Sequence, residues 1–210
     1  MVKHIRSESR SLLKNLLEEE RVQRYITSLR RHHYETQRHS VRVGLFAVDL
    51  GYENSFGLGE LKLLGYAGLL HDVGKLDIPE EILNKPTALN QSERAIIDVH
   101  PRLGFLALED FGDDLVRQVV VAHHEYKKNP YPRGKKDRRK TMRLGDVDRR
   151  TSNRLISILA QIVAVSDIYD ALTHRRTYKS ALPRDKVEET LREHFIGDKN
   201  YIEQVLRESA

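Results

Sequence analysis

Cysteine is absent from the 210 residues, which excludes disulfides, thiolate zinc sites and cysteine nucleophiles. Any metal site must therefore use His, Asp and Glu, a donor set suited to Fe, Mn, Zn or Ni rather than to a soft metal. Tryptophan is absent too, and the twelve Gly and six Pro are localised, a pattern of helices with short connections. No apolar run reads as reaching membrane-spanning length, and the opening MVKHIRSESR lacks the apolar core of a signal peptide. The expected location is cytoplasmic.

What is present is charge, unevenly spread. Lys127 to Arg154 holds twelve Lys/Arg against three Asp, leaving 24 bases and 28 acids elsewhere. The basic character thus belongs to one Pro/Gly-punctuated, insertion-like loop, and the overall pI describes no other part of the chain. Such a stretch is either a solvated basic loop, the favoured reading, or a phosphate-attracting arm for nucleic acid.

Residues 5 to 31 carry Leu12, Leu13, Leu16, Leu17, Val22, Tyr25, Ile26 and Leu29 among many charges. That is the pattern of an amphipathic helix, packed on the domain or against a second copy of the chain. The junction Arg30-Arg31-His32-His33 reads as solvated. The next helix places Glu35 and His39 one turn apart on one face, and Val41, Leu45 and Val48 mark it as substantially buried.

The stretch LGYAGLLHDVGKLDIP, residues 64–79, is where the chain departs from ordinary core composition. An apolar helix ends in His71-Asp72 and meets Gly74-Lys75. A buried carboxylate without a partner costs several kcal/mol, so the pair needs either a cation or a capping role with the histidine bonded to backbone. His100-Pro101 then starts one helix, and a Val-rich helix ends at His123-His124-Glu125. A long apolar helix from Leu155 carries Asp167 and Asp170, the latter read as a ligand-orienting residue or a helix-surface carboxylate. Pro183 opens a terminal amphipathic segment interrupted at Gly197. No strand is expected; the fold class is all-α.

Glu35, His39, His71, Asp72, His100, His123, His124 and Asp167 come from five helical segments, each in or at the end of an apolar run. Helical bundles build metal centres from inward side chains on facing helices, and so many donors exceed one ion's needs.

Taken in order, these residues resemble a known family. His39, His71-Asp72 and Asp167 match the H…HD…D signature of HD-domain metal-dependent phosphohydrolases. HDVGKLDIPEEILNKPTALN, His100-Pro101, HHE at 123–125, PYP at 130–132 and DIYDALTHRRTYK at 167–179 resemble its HD-GYP subfamily, over about Glu35 to Lys179. The resemblance implies an HD helical bundle over 32–210, with 1–31 as an N-terminal helical extension and 127–154 as a basic insertion. It implies a phosphodiesterase hydrolysing cyclic di-GMP to pGpG or GMP through a metal-bridging hydroxide. Two or three divalent ions are implied, Fe or Mn foremost, with Zn, Ni or Mg compatible.

By motif, His39, His71, Asp72 and Asp167 would hold the first metal. His100, His123 and His124 would hold the second with Asp72 bridging, and Glu35 would be the extra ligand of three-metal members. Lys75, Arg176 and Lys179 would contact phosphate, with Tyr131 on the substrate side. The family's HHExxDGxGYP loop is here HHEYKKNPYP: one residue shorter, lacking Asp-Gly, with Pro130 at the first position of GYP. Proline forbids conformations that glycine allows and removes an N–H donor. Two other readings therefore stand beside the first: a weakly active or non-catalytic cyclic-dinucleotide receptor, and an HD hydrolase of another nucleotide or RNA. The sequence leaves open a homodimer through the N-terminal helix, residues 5–31.

Overall fold

The computed structural model describes residues 2–128, 152–174 and 181–207. Among them the regular structure is helical, and the lone β-type pairing is an isolated bridge between Lys127 and Phe195. The all-α expectation holds.

Residues 5–31 form two helices, not one: α1 (Val2–Glu18) and α2 (Glu20–His32). The break falls at Glu19, whose backbone is extended (φ −69°, ψ 127°). Its carboxylate accepts from Tyr66 Oη (2.7 Å) and Arg21 Nε (2.9 Å), and the Arg21 guanidinium lies over the rings of both Tyr66 and Phe111. Leu12, Leu13, Leu16, Val22, Ile26 and Leu29 are buried in a core shared with Leu61, Leu69, Val116 and Val120, so this apolar face packs on the chain's own body.

The expectation that His32 and His33 are solvated is corrected. His33 Nδ1 accepts the Thr36 N–H (3.1 Å) and caps α3 (Tyr34–Glu53), while His32 Nε2 lies 2.9 Å from the Ile78 carbonyl oxygen. The His33 imidazole substitutes for Ser or Asp in satisfying an orphan N–H at the start of α3.

Helices α3 and α4 (Leu58–Leu70) cross with their backbones in contact: a Cβ on Gly68 would sit 2.6 Å from Gly44 Cα. Only glycines permit that approach. It brings His39, on α3, to His71, just past α4, with ring centroids 5.1 Å apart. After a 3-10 turn at Val73–Asp77 come α5 (Glu80–Leu83), α6 (Gln91–Ile97) and α7 (His100–Ala107). The 3-10 turn lies directly on the start of α7, where a Cβ on Gly74 would be 2.0 Å from the His100 carbonyl oxygen. Helix α8 (Asp114–Ala122) is capped by Asp113, whose side chain accepts from the Leu115 and Val116 N–H groups.

Helix α9 (Ser152–Thr173) runs through the second core, surrounded by α3, α4, α8, α10 (Arg184–His194) and α11 (Asn200–Arg207). Contrary to the expectation from composition, Arg154–Thr173 is long and apolar enough to cross a membrane. Its Ile, Leu, Val and Ala side chains are instead mostly buried within the chain, as in a core helix, and it carries Asp167 and Asp170.

Candidate metal centre

Seven of the eight expected ligands converge. Three overlapping groups each have ligand atoms within 4.8 Å of one another: His39, His71 and Asp72; His71, His123 and Asp167; His100, His123 and His124. Asp72 joins the sides. Its Oδ2 is 3.4 Å from His71 Nε2 and 3.7 Å from His39 Nε2, while its Oδ1 is 3.1 Å from His100 Nε2. Asp167 Oδ1 lies 3.0 Å from His39 Nε2. The eighth, Glu35, lines the same cavity but stands outside these groups, 3.9 Å from Arg38.

The hydrogen bonds at the far side of each ring decide what the centre accepts. His71 Nδ1 is 2.8 Å from the Gly68 carbonyl oxygen, His100 Nδ1 2.8 Å from that of Ile97, and His123 Nδ1 2.6 Å from that of Val120. A carbonyl only accepts, so each Nδ1 carries the proton and donates it, leaving Nε2 with a lone pair when the ring is neutral. His39 Nδ1 faces Asp170 Oδ2 at 2.6 Å and is fixed the same way. The Nε2 atoms of His39 and His71 then meet at 3.3 Å beside the Asp167 and Asp72 oxygens. Lone pairs converging so closely repel unless a cation lies among them. His123 Nε2 is buried with no hydrogen-bond partner among the described residues.

Electrostatics agree with that fit. Burial holds His100 below its ordinary pKa and His123 and His124 well below theirs, the neutral form that metal ligation requires. Burial pushes the Asp72 carboxyl up, but Lys75 and His71 outweigh it; burial likewise opposes Lys127 and His39 at Asp167. Both carboxyls lie well below the usual range. His71 goes the other way: burial lowers it, and the charges of Asp72 and Asp167 raise it further than burial lowers it. A divalent cation would meet the same two charges. Neutral imidazoles with carboxylates are a borderline-metal donor set, and the residues present fit a divalent-metal centre with Asp72 facing both sides.

The centre opens into a cavity of about 390 Å³ that is also lined by residues between Ile82 and Asp98, among them Lys85, Thr87 and Arg94. Lys75, expected from the HDVGK motif to contact phosphate, places its Nζ 2.6 Å from Asp72 Oδ2. Lys127 was not singled out by the sequence, and Asp170 was left between a ligand-orienting and a helix-surface role. Lys127 Nζ lies 2.8 Å from Asp167 Oδ2, and Asp170 accepts from His39, Arg42 and His174. Burial pushes the Asp170 carboxyl up, and the bonds from His174, His39 and Arg42 overcome it, holding it far below the ordinary range. Tyr131, Arg176 and Lys179, with most of the 127–154 loop, lie outside the described residues.

A family model described as the HD domain matches residues 36–172, nearly two thirds of the chain and every helix that supplies a ligand. The chain belongs to the HD domain family. Its ordered HD, HP and HHE motifs are those of the HD-GYP branch. A cyclic di-GMP phosphodiesterase of Thermotoga maritima is 34% identical over 179 residues, covering 82% of this chain and 43% of the relative. One of Pseudomonas aeruginosa is 35% identical over 147 residues, 69% of this chain and 32% of that protein. A 3'3'-cGAMP-specific phosphodiesterase of Vibrio cholerae is 31% identical over 159 residues, 75% and 33% of the two. The HD domain described here spans less than half the length of these relatives.

Proposed function

We propose that this HD domain is a cytoplasmic, divalent-metal-dependent phosphodiesterase that opens cyclic di-GMP to linear pGpG and can carry it on to GMP. The observation that carries the reading is Asp72, one oxygen toward the His39–His71 side and the other toward His100, at the floor of a cavity wide enough for a nucleotide. His39, His71, Asp72 and Asp167 would hold one ion and His100, His123 and His124, with Asp72 shared, a second; Glu35, which lines the same cavity, would be the extra ligand of a three-metal centre. Fe or Mn is the favoured metal, and Zn, Ni and Mg suit the same donors.

Bound there, divalent cations supply a water nucleophile at neutral pH and polarise the phosphodiester. The protein's own residues do the rest. Oxygen from water joins phosphorus, the bond to the 3′-oxygen breaks, and that oxygen takes up a proton. Lys75 and Lys127 stand at the two carboxylates, where their ammonium groups meet charge growing on non-bridging and leaving oxygens. Arg94, which also lines the cavity, would meet the second phosphate of a cyclic dinucleotide, beside Lys85 in its ion pair with Glu93. Tyr131, Arg176 and Lys179 complete the substrate contacts by their motif positions.

The test is chromatographic assay of cyclic di-GMP and 3'3'-cGAMP with Mn(II) or Fe(II) under reducing conditions. Accumulation of pGpG or GMP by the wild type and its loss in His71→Ala is the expected result. Binding of the dinucleotide without any product, in protein with metal bound, would make the domain a receptor instead. A homodimer is compatible with this chemistry and is read from the oligomeric state in solution.

A further inference from the structure

The four buried histidines with defined Nδ1 contacts are not equivalent. His71, His100 and His123 each donate to the carbonyl three residues earlier, a neutral acceptor on their own segment. His39 lies within α3, where the carbonyls of the preceding turn are already engaged by the helix. Its acceptor comes from 131 positions away, the Asp170 carboxylate on α9. That carboxylate is fully buried and has no freedom of its own: Arg42 Nε meets Oδ1 at 2.5 Å, Arg42 Nη2 meets Oδ2 at 3.0 Å, and His174 Nδ1 lies 3.0 Å from Oδ1. The fork geometry of arginine fixes the carboxylate plane. One imidazole of the centre is thus backed by an ionised carboxylate, itself paired with Arg42, and three others by peptide carbonyls.

A carboxylate behind an imidazole fixes its orientation and raises the basicity of the opposite nitrogen. We propose that Asp170, clamped by Arg42, is a positioning residue that makes the His39 side of the centre the tighter divalent-cation site, so that the His39–His71–Asp72–Asp167 side loads before the His100–His123–His124 side. The inference rests on the cluster being a divalent-cation centre and is independent of the substrate.

Equilibrium titration of chelator-stripped full-chain protein with Mn(II), followed by calorimetry and by elemental analysis after dialysis, tests it. Wild type takes up Mn(II) in two separable steps. Asp170→Asn weakens the tighter step about 10- to 100-fold and leaves the weaker step within about threefold. Arg42→Gln, which keeps the His39–Asp170 contact and loosens its clamp, shifts the same step in the same direction by less, and guards against a misfolded Asp170 variant. In metal-free protein, nitrogen NMR of labelled histidines reports His39 in the Nδ1–H form in wild type and a mixed population in Asp170→Asn.

Equal weakening of both steps in Asp170→Asn would mean that Asp170 is only a tie between α3 and α9 and overturns the inference. So would an unchanged tighter step. Failure of wild type to take up any Mn(II) overturns the metal-centre reading itself, a distinct outcome.

Discussion

Lys127 Nζ sits 2.8 Å from Asp167 Oδ2, and both residues line the cavity. Its backbone is pinned by the bridge to Phe195, so its ammonium group is delivered to the cleft from a fixed point. Replacing Lys127 with Met is expected to lower kcat/KM for the cyclic dinucleotide at least about tenfold, the scale for removing one positioned charge donor. Metal content should be retained. An unchanged kcat/KM would reduce Lys127 to a surface ion pair.

Gly74 supplies a second prediction. Any side chain there meets the backbone of α7, with a Cβ 2.0 Å from His100 O and 2.4 Å from Gly104 N. Gly74→Ala must push α7 and His100 away from Asp72. The expected outcome is a loss of about 1–3 kcal/mol in chemical denaturation, the usual cost of overpacking, together with loss of the ion on the His100 side. Full stability with two ions bound would contradict the close contact.

Away from the centre, Glu19 ties the α1–α2 break to Tyr66 and Arg21. Partial burial raises its carboxyl, while hydrogen bonds from Tyr66 and Arg21 outweigh that and hold it below its ordinary value. A depressed carboxyl stabilises above its unfolded pKa, about 4.3, and loses that contribution as pH falls through its folded value. Glu19→Gln should therefore cost on the order of 1 kcal/mol at neutral pH. The gap between variant and wild type should shrink steadily below about pH 4.3. A gap that stays constant between pH 7 and 3 would show that the charge at Glu19 is irrelevant to the break.

How legible all this was depended on whether the deciding contact was local. His71, Asp72 and Asp167 stand out because imidazoles and carboxylates at the ends of apolar runs are costly unless partnered, and that cost is readable from composition alone. The order of the motifs then carried the fold. Lys127 did not stand out, since it opens a run of twelve bases and only its pairing with distant Phe195 separates it from them. Asp170 was ambiguous because the phase of α9 does not reveal that Arg42 and His39 face it from α3. The break at Glu19 was invisible for the same reason: the helical pattern continues through EEER, and the interruption is made by Tyr66, 47 residues away. His33 was misjudged because a histidine N-cap looks like any polar junction until its ring is seen on Thr36 N.

Metal removal gives a further expectation. The centre lies between α3, α4, α7, α8 and α9, so an ion bound there stabilises their packing by mass action, about 2.7 kcal/mol at a hundredfold excess over Kd. The thermal midpoint should fall on chelation and return on adding Mn(II). A midpoint insensitive to both would place ion binding outside the folded core.

The most direct measurement is elemental analysis of the anaerobically purified wild type beside Asp72→Ala. Two or more divalent ions per chain in the wild type and at most one in the variant is the expected result, because one carboxylate is shared by both sides. No ion in the wild type after reconstitution with Fe(II) or Mn(II), or an equal content in the two proteins, would contradict it.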